Sequence, residues 1–383
     1  MSIAMTPDRV LNSVEGVCRD ATTSDELLSG IADTIHRAIP HDGAVWFGVD
    51  PLTLLGTAPS RVERLDPGLC DTFWHLEFHE QDVCLFADLA HGEGAGAMRH
   101  SLDNRMGRSP RYRDFLQPQG YQDELRGVFR SGESTWGMVG LYRESAHQPF
   151  SAEDVSILKS VSRPIGAALC TYVRQSAPWL TQPSAPGLLI VNPAGHIIAS
   201  NNEAMNWLRE LWPCVEDSKA ELDPNDLFSL RNEKLQVPTA LYALISRSRA
   251  FASGRESAPA RLRLRDARDR WLVLHASTLA KSEADAADDV AIVIEAAKSA
   301  EIAPIIIEAY SLTRRERDVV AAIAQGGSTT EIAAKLFLSP HTVRDHIKTV
   351  FEKVGVSSRG ELVAKLFGEH YADPLHASMV HVD

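Results

Sequence analysis

Apolar residues recur with helical spacing most regularly between Ser311 and His370. Val319, Val320, Ile323 and Ala324 form one stripe, Ile332, Ala333, Leu336 and Phe337 a second, and Val343, Ile347, Val350, Phe351 and Val354 a third. Each stripe follows a helix-start signal. Thr313 with Glu316 and Ser328 with Glu331 have capping-box spacing, and Ser339-Pro340 places an N-cap before a proline at the first helical position. Gly326-Gly327 ends the first helix, and Ser358 with Glu361 opens a last one, so four short helices are predicted. Earlier in the chain the pattern changes character. Residues 6–40 read as two helices, the second capped by Ser24-Asp25 and striped by Leu27, Leu28, Ile31, Ile35 and Ile39. Ala44–Val49 reads as a strand, Leu69–Phe78 as a helix, and Gly127–Arg130 with Trp136–Arg143 as a hairpin across Ser131-Gly132-Glu133. The Gly- and charge-rich stretch 91–110 reads as a long loop, a lid or a surface excursion. Phe150-Ser151-x-x-Asp154 opens a long helix through Val155, Leu158, Val161 and Ala168.

The third C-terminal helix has two faces. Opposite its apolar side stand His341, Asp345, Lys348 and Glu352, flanked by Arg344 and Thr349. Two short helices joined by a tight turn, the second turning polar and basic groups outward, make a helix-turn-helix, sized for the DNA major groove. The segment closely resembles the LuxR/NarL-type helix-turn-helix. The resemblance rests on Leu312-Thr313-x-x-Glu316, Gly326, Glu331-Ile332-Ala333, Leu336, Ser339, Thr342-Val343, His346-Ile347, Lys353, Gly355-Val356, Ser358-Arg359 and Leu362. It implies that Arg344 and Lys348 touch bases and phosphates and that Thr342 approaches the backbone. With His341, Asp345 and Thr349 these form the expected DNA-binding set. Asp345 is acidic where many members are neutral: it either accepts from cytosine N4 or repels wrong registers.

Two further resemblances cover the rest. The stretches 109–144 and 148–169, in an order of helix, helix, strands, excursion, hairpin and returning helix, resemble a GAF domain of actinobacterial GAF–LuxR regulators. Such a domain implies a ligand cavity between a sheet face and its covering helices. Trp46, Trp74, Tyr112, Phe115 and Trp136 are the expected lining, and the expected occupant is a small apolar or aromatic effector. After a Pro- and Ser-rich linker, two apolar runs around Asn192-Pro193-Ala194-Gly195 and a helix from Asn201-Asn202-Glu203-Ala204 resemble a PAS domain. Its later strands are expected at Arg261–Leu264, Trp271–Ala276 and Val290–Ala296, with an acidic loop at Lys281–Asp289. The fold class is thus α+β multidomain: a GAF-like α/β sensor (1–174), a linker (175–185), a PAS-like α/β domain (186–297), a linker helix (298–310), an all-α four-helix reader (311–372) and a tail (373–383).

Charge first argues against a nucleic-acid partner, since the 383-residue chain carries −12. Its distribution changes this. Residues 311–370 hold nine Lys/Arg against seven Asp/Glu, so the reader is +2 and the remainder −14. Binding then depends on a homodimer, which doubles the phosphate contacts. A basic, apolar leader and a membrane-length apolar run are both missing, so a cytoplasmic protein without membrane contact is expected. Five scattered cysteines are expected as free thiols. Cys70, His75, His79 and Cys84 nevertheless have a symmetric C-x4-H-x3-H-x4-C spacing, and the alternative reading is a metal- or redox-sensing regulator acting through them. A third reading is a scaffold whose helix-turn-helix no longer binds DNA. No P-loop, nucleophile elbow, H-E-x-x-H motif or receiver-type acidic cluster occurs, and neither does the acyl-homoserine-lactone pattern. No catalytic residue, metal or cofactor is therefore assigned. The expected partners are promoter double-stranded DNA, a second copy and a small-molecule effector.

Overall fold

The computed structural model describes residues 6–174, 185–193, 195–211, 239–266, 270–280 and 289–368. Most of the expected 175–185 linker, the acidic loop at 281–288 and the tail lie outside them. The first unit opens with α1 (Pro7–Asp20) and α2 (Ser24–Ala38). The cap of α2 is Thr23, one residue before the expected Ser24, because Thr23 and Glu26 close a reciprocal capping box. The chain continues through β1 (Gly43–Val49), β2 (Gly56–Glu63), α3 (Cys70–Phe78), α4 (Phe86–His91), β3 (Ala95–Ala97), α5 (Met98–Ser101), β4 (Tyr121–Ser131) and β5 (Ser134–Glu144). These strands form one antiparallel sheet ordered β2-β1-β5-β4-β3. The stretch expected as a lid is therefore partly sheet: β3 pairs with β4 from Ala95 against Gly127 to Ala97 against Leu125.

The expected single long helix after Ser151 is two, α6 (Ala152–Ser160) and α7 (Ser162–Arg174). The break at Val161 lets Ser162 Oγ donate to Val128 O at 2.7 Å and accept from Arg130 N at 3.2 Å. Gly166 then lies against Arg130, where a Cβ would sit 2.3 Å from the carbonyl oxygen. No side chain fits there, so α7 seats directly on the backbone of β4.

The second unit runs β6 (Gly187–Val191), β7 (Ile197–Ser200), α8 (Asn202–Leu211), α9 (Thr239–Ala252), β8 (Ala260–Arg265), β9 (Trp271–Leu279) and β10 (Asp289–Ala296). Its sheet is ordered β7-β6-β10-β9-β8, so both sheets place their strands second-first-fifth-fourth-third. Helix α9 had no counterpart in the sequence reading, and it packs on both α3 and the second sheet. Helix α10 (Ser299–Ala309) follows and continues through Pro304. The last unit is α11 (Arg314–Ala324), α12 (Thr329–Leu336), α13 (Pro340–Val354), α14 (Arg359–Val363) and a final turn at Ala364–Gly368.

Two hydrophobic clusters hold these units, and each crosses a unit boundary. One joins Val10, Leu27, Ile35, Trp46, Phe129 and Ile165 of the first unit to Ile302, Ile305 and Ile306 of α10 and on to Val319, Val343 and Leu362. The other joins Phe47, Phe73 and Trp74, on the opposite face of the first sheet, to Leu241, Leu244 and the buried face of the second sheet.

Candidate nucleic-acid interface

Helix α11 starts where Thr313 Oγ1 accepts from Glu316 N while Glu316 takes Thr313 N at 2.7 Å. Gly326, at φ +82, ends it. Ser328 and Glu331 repeat the box for α12. That helix ends one residue earlier than its apolar stripe suggests. Phe337, expected in the buried stripe, has φ 55 and is 94% exposed, because the left-handed turn that aims the chain into α13 rotates it outward. Ala324 is also exposed and Ala322 takes its place in the core. Ser339 Oγ accepts from Thr342 N at 3.1 Å, Pro340 occupies the first helical position, and Gly355, at φ +71, closes α13.

Side-chain ties set the angle between the helices. Lys353 Nζ lies 2.6 Å from Glu316 Oε2, joining α13 to the cap of α11. Arg359 donates to Gly327 O at 2.6 Å and to Thr329 Oγ1 at 2.8 Å, bracing α14 against the turn. Burial pushes the Glu316 carboxyl up, but the bonds from Lys353 and Thr313 outweigh it and hold it below the ordinary range.

With Val343, Ile347, Val350 and Val354 buried, α13 turns one face outward. His341, Arg344, Asp345 and Lys348 are exposed there, and Thr342 and Thr349 are half-buried at its edges. The expected set thus lies on one helix face. His341 Nδ1 sits 3.0 Å from Asp345 Oδ2, so the acidic group has a local partner. Lys348 reaches Glu352 only at 3.9 Å, and Arg344 has no hydrogen-bond or ion-pair partner among the described residues. Thr342 Oγ1 bonds Ser339 Oγ at 2.8 Å and Thr349 Oγ1 donates to Asp345 O at 3.1 Å, so both threonines are tied to the helix itself. A 15-residue helix is about 22 Å long, and Arg344 and Lys348 stand near its middle, where a groove would meet them.

The last unit is docked to the rest of the chain through α10 and the β4–β5 turn, whose residues the sequence marked as a turn but not as a docking site. Arg317 of α11 pairs with Glu308 of α10 and, at 3.3 Å, with Glu133 in the β4–β5 turn. Ser311 Oγ meets Ser131 Oγ at 3.0 Å, and Ser134 Oγ donates to Glu308. Glu133 and Arg317 are 184 positions apart, so no local pattern reveals them.

The five aromatics expected to line one cavity do not share one. Trp46 lies in the helix-backed cluster, its ring 6.2 Å from that of Phe129, and Trp136 belongs to the same cluster. Trp74, Phe115 and the half-buried Tyr112 belong to the cluster on the other face. Buried charge occupies that face. Arg126 bonds Glu124 and Glu77, each at 2.7 Å, Arg111 bonds Glu124 at 2.7 Å, and Arg126 lies over the Phe86 ring at 4.3 Å. Burial pushes the Glu124 carboxyl up, but the two guanidiniums overcome it and hold it below the usual carboxylate range.

The cysteine–histidine set is dispersed. His75 and His79 do stack, with ring centroids 4.7 Å apart, but His79 Nε2 is 3.0 Å from Ser246 O. Burial, reinforced by Asp66 and Asp71, pushes the Cys70 thiol up to about 12. Cys84 bonds Ser101 at 3.4 Å and is also raised by burial. Among the described residues no three or more metal-capable side chains converge.

Residues 310–366 match the family described as bacterial regulatory proteins, luxR family. The chain is 46% identical over 55 residues to the spore germination protein GerE of Bacillus subtilis, covering 14% of this chain and 74% of that protein. It is 38% identical over 76 residues to the probable transcriptional regulatory protein NarL of Mycobacterium tuberculosis H37Rv, covering 20% of this chain and 32% of the relative. The match to the uncharacterized transcriptional regulatory protein YhcZ of Bacillus subtilis is 47% over 62 residues, 16% of this chain and 28% of that one. The chain thus spans about a third of NarL and YhcZ. The solved structure of Escherichia coli SdiA aligns over 94% of this chain and 96% of its own at 10% identity, with a TM-score of 0.31, too low to bear on how the units are arranged.

Proposed function

The chain belongs to the luxR family of bacterial regulatory proteins, and on that premise we propose that it is a cytoplasmic, signal-gated transcription regulator. Helix α13 enters the major groove with Arg344 and Lys348 toward bases and phosphates, Thr342 toward the backbone, and His341, Asp345 and Thr349 bordering them. The observation that carries this reading is the outward face of α13, with two lightly held cations on a helix whose opposite face is locked into a capped scaffold. No described helix is long and apolar enough to cross a membrane. The two upstream units act as sensors, the first GAF-like and the second PAS-like, and their matching five-stranded antiparallel sheets support that assignment. The proposed domain limits are 1–174, 186–297 and 311–372, with 298–310 as the connecting helix. The reader acts as a homodimer on a pseudo-palindrome, its two recognition helices about one DNA turn apart. A signal shifts this arrangement only by binding one state more tightly than the other. Arg317, held by Glu308 and Glu133, is the lever available for that shift, since moving α10 or the β4–β5 turn moves α11.

Selection of bound duplexes from a random pool by the full-length protein tests this. Enrichment of inverted repeats with half-sites about one helical turn apart is expected. A pool that stays random would leave a helix-turn-helix that binds protein rather than DNA.

A further inference from the structure

Positive charge is concentrated in one short stretch of an acidic chain. The whole carries −12, yet residues 99–113 hold five arginines against one aspartate, Asp103. The stretch lies between β3 and β4 and overlaps the segment read from the sequence as an excursion. Arg111 turns inward onto Glu124 and is neutralised there. Arg99, Arg105 and Arg108 instead line one shallow, open cleft with Tyr112, and no carboxylate side chain is among the lining residues. The backbone folds to bring them together: Asp103 and Asn104 are left-handed in succession, at φ 49 and 65, and both residue types tolerate that conformation. Arg99 is fixed from below, its N–H on Asp123 and its Nη2 on Gln122 O, each at 3.1 Å. Arg105 reaches Asp103 only at 3.8 Å, and both side chains are mostly exposed, so solvent leaves that pair weak. Arg108 is exposed and has no hydrogen-bond or ion-pair partner among the described residues. Tyr112 is half-buried, its N–H held by Ser109 Oγ at 3.0 Å.

Like charges gathered without a counter-charge repel one another and cost the folded chain free energy, which a bound anion would offset. Guanidinium forks match the oxygens of a tetrahedral anion bidentately. A monocarboxylate would leave two of the three cations unmatched, whereas a phosphate monoester carries close to two charges and three acceptor oxygens. We propose that the cleft is a binding site for a small phosphate monoester, its dianion held by Arg99, Arg105 and Arg108 and its organic group laid against the Tyr112 ring. Position separates this site from the DNA-reading face. Arg99 is tied to Gln122 and Asp123 at the start of β4, while Glu133, which holds α11, follows the far end of that strand, roughly 30 Å along it. A small anion needs no alignment with α13, and it is the occupant that fits this end of the sheet. The site does not rest on the reading of α13. It also differs from the ring-lined cavity expected under the first sheet's covering helices, whose space holds the Arg126–Glu124–Glu77 network.

The test is isothermal titration calorimetry of the full-length protein at about 50 mM salt, where surface charge is only partly screened. The probes are phenyl phosphate, inorganic phosphate and benzoate. Phenyl phosphate should saturate one site per chain, inorganic phosphate should bind about fivefold more weakly for want of the ring, and benzoate should give no saturable heat. Arg108→Gln should weaken phenyl phosphate about fivefold without moving the unfolding midpoint, because the side chain is exposed. Arg105→Gln combined with Arg108→Gln should remove saturable binding. Tyr112→Leu should bring phenyl phosphate down to the level of inorganic phosphate and leave the latter unchanged. Arg209→Gln, on the exposed side of α8 in the second unit, is the control for net charge and should bind as the parent does. No saturable binding of phenyl phosphate, benzoate bound as well as phenyl phosphate, or an isotherm unchanged in the double variant would each overturn the site. An equal loss in Arg209→Gln and Arg108→Gln would reduce it to the field of the whole protein. Weakened duplex binding by Arg108→Gln with phenyl phosphate unaffected would make the cleft a DNA contact and overturn the small-ligand assignment.

Discussion

Lys348→Ala and Arg344→Ala test the interface because they separate two kinds of contact. Both side chains are exposed, so neither change disturbs the core. The pair that Lys348 makes with Glu352, at 3.9 Å on the surface, is worth only a few tenths of a kcal/mol, so the variant should melt with the parent. On DNA the two differ. A lysine on a phosphate releases one counterion, which lowers the slope of log affinity against log salt by about 0.9. Two recognition helices in a dimer double this to about 1.8, which at 0.1 M salt is roughly a 60-fold loss that shrinks as salt rises. Arg344 has no local partner to give up, and a bidentate contact to guanine is worth about 1–3 kcal/mol at each half-site. Its loss should weaken binding to the selected sequence, leave the salt slope nearly unchanged and relax preference at one base pair. Fluorescence anisotropy on a labelled duplex, from about 50 to about 200 mM salt, measures both quantities. Lys348→Ala with unchanged affinity and unchanged slope would refute the placement of α13 in the groove.

Three further outcomes follow from the same contacts. Arg126→Ala takes the ion-pair partner from Glu77, leaves Glu124 with Arg111 alone, and should cost about 3–5 kcal/mol in urea unfolding, whereas Glu124→Gln with Arg126→Met should cost less than the two single changes added together. The Glu316 carboxyl is held below its ordinary 4.5, so the stability it lends is full above that pH and is lost as pH falls through the lower folded value; Glu316→Gln should therefore be costly at neutral pH and cost progressively less as pH is lowered below 4.5 in the same assay. With its thiol raised to about 12, Cys70 should react with iodoacetamide at pH 8 about a thousandfold more slowly than an ordinary thiol; mass spectrometry showing full-rate labelling in the native protein would revive a redox role.

What the sequence made legible was local. Capping boxes at Thr313, Ser328 and Ser151 are written within four residues, and all three close in the structure. The outward face of α13 was readable because its buried side is continuous. Helix α9 was not, because Leu241, Ala243, Leu244 and Ile245 are all buried between α3 and the second sheet, which leaves no polar face to set a period. Strand β3 is three small residues long, too short to alternate, and Gly96 lies close to Cys84, where a Cβ would meet Sγ at 2.8 Å and push that side chain aside. Phe337 was misplaced because apolar spacing continues past Leu336 while the helix does not. The aromatics failed as a cavity signature for a different reason. Residue type shows that a ring will be buried, but not on which face of a sheet, and Trp46 and Trp74 lie on opposite faces.

The cluster that runs from the N-terminal helices through Ile302, Ile305 and Ile306 into the reader bears on how such a chain can be recombined. A DNA-binding unit transplanted from a relative would arrive without side chains shaped to this α10, and the host would be left with isoleucines facing water. Exchange at residue 310 is therefore not a neutral cut. A chimera made there would need compensating changes on both sides of the joint, whereas changes confined to the exposed face of α13 would leave that packing undisturbed.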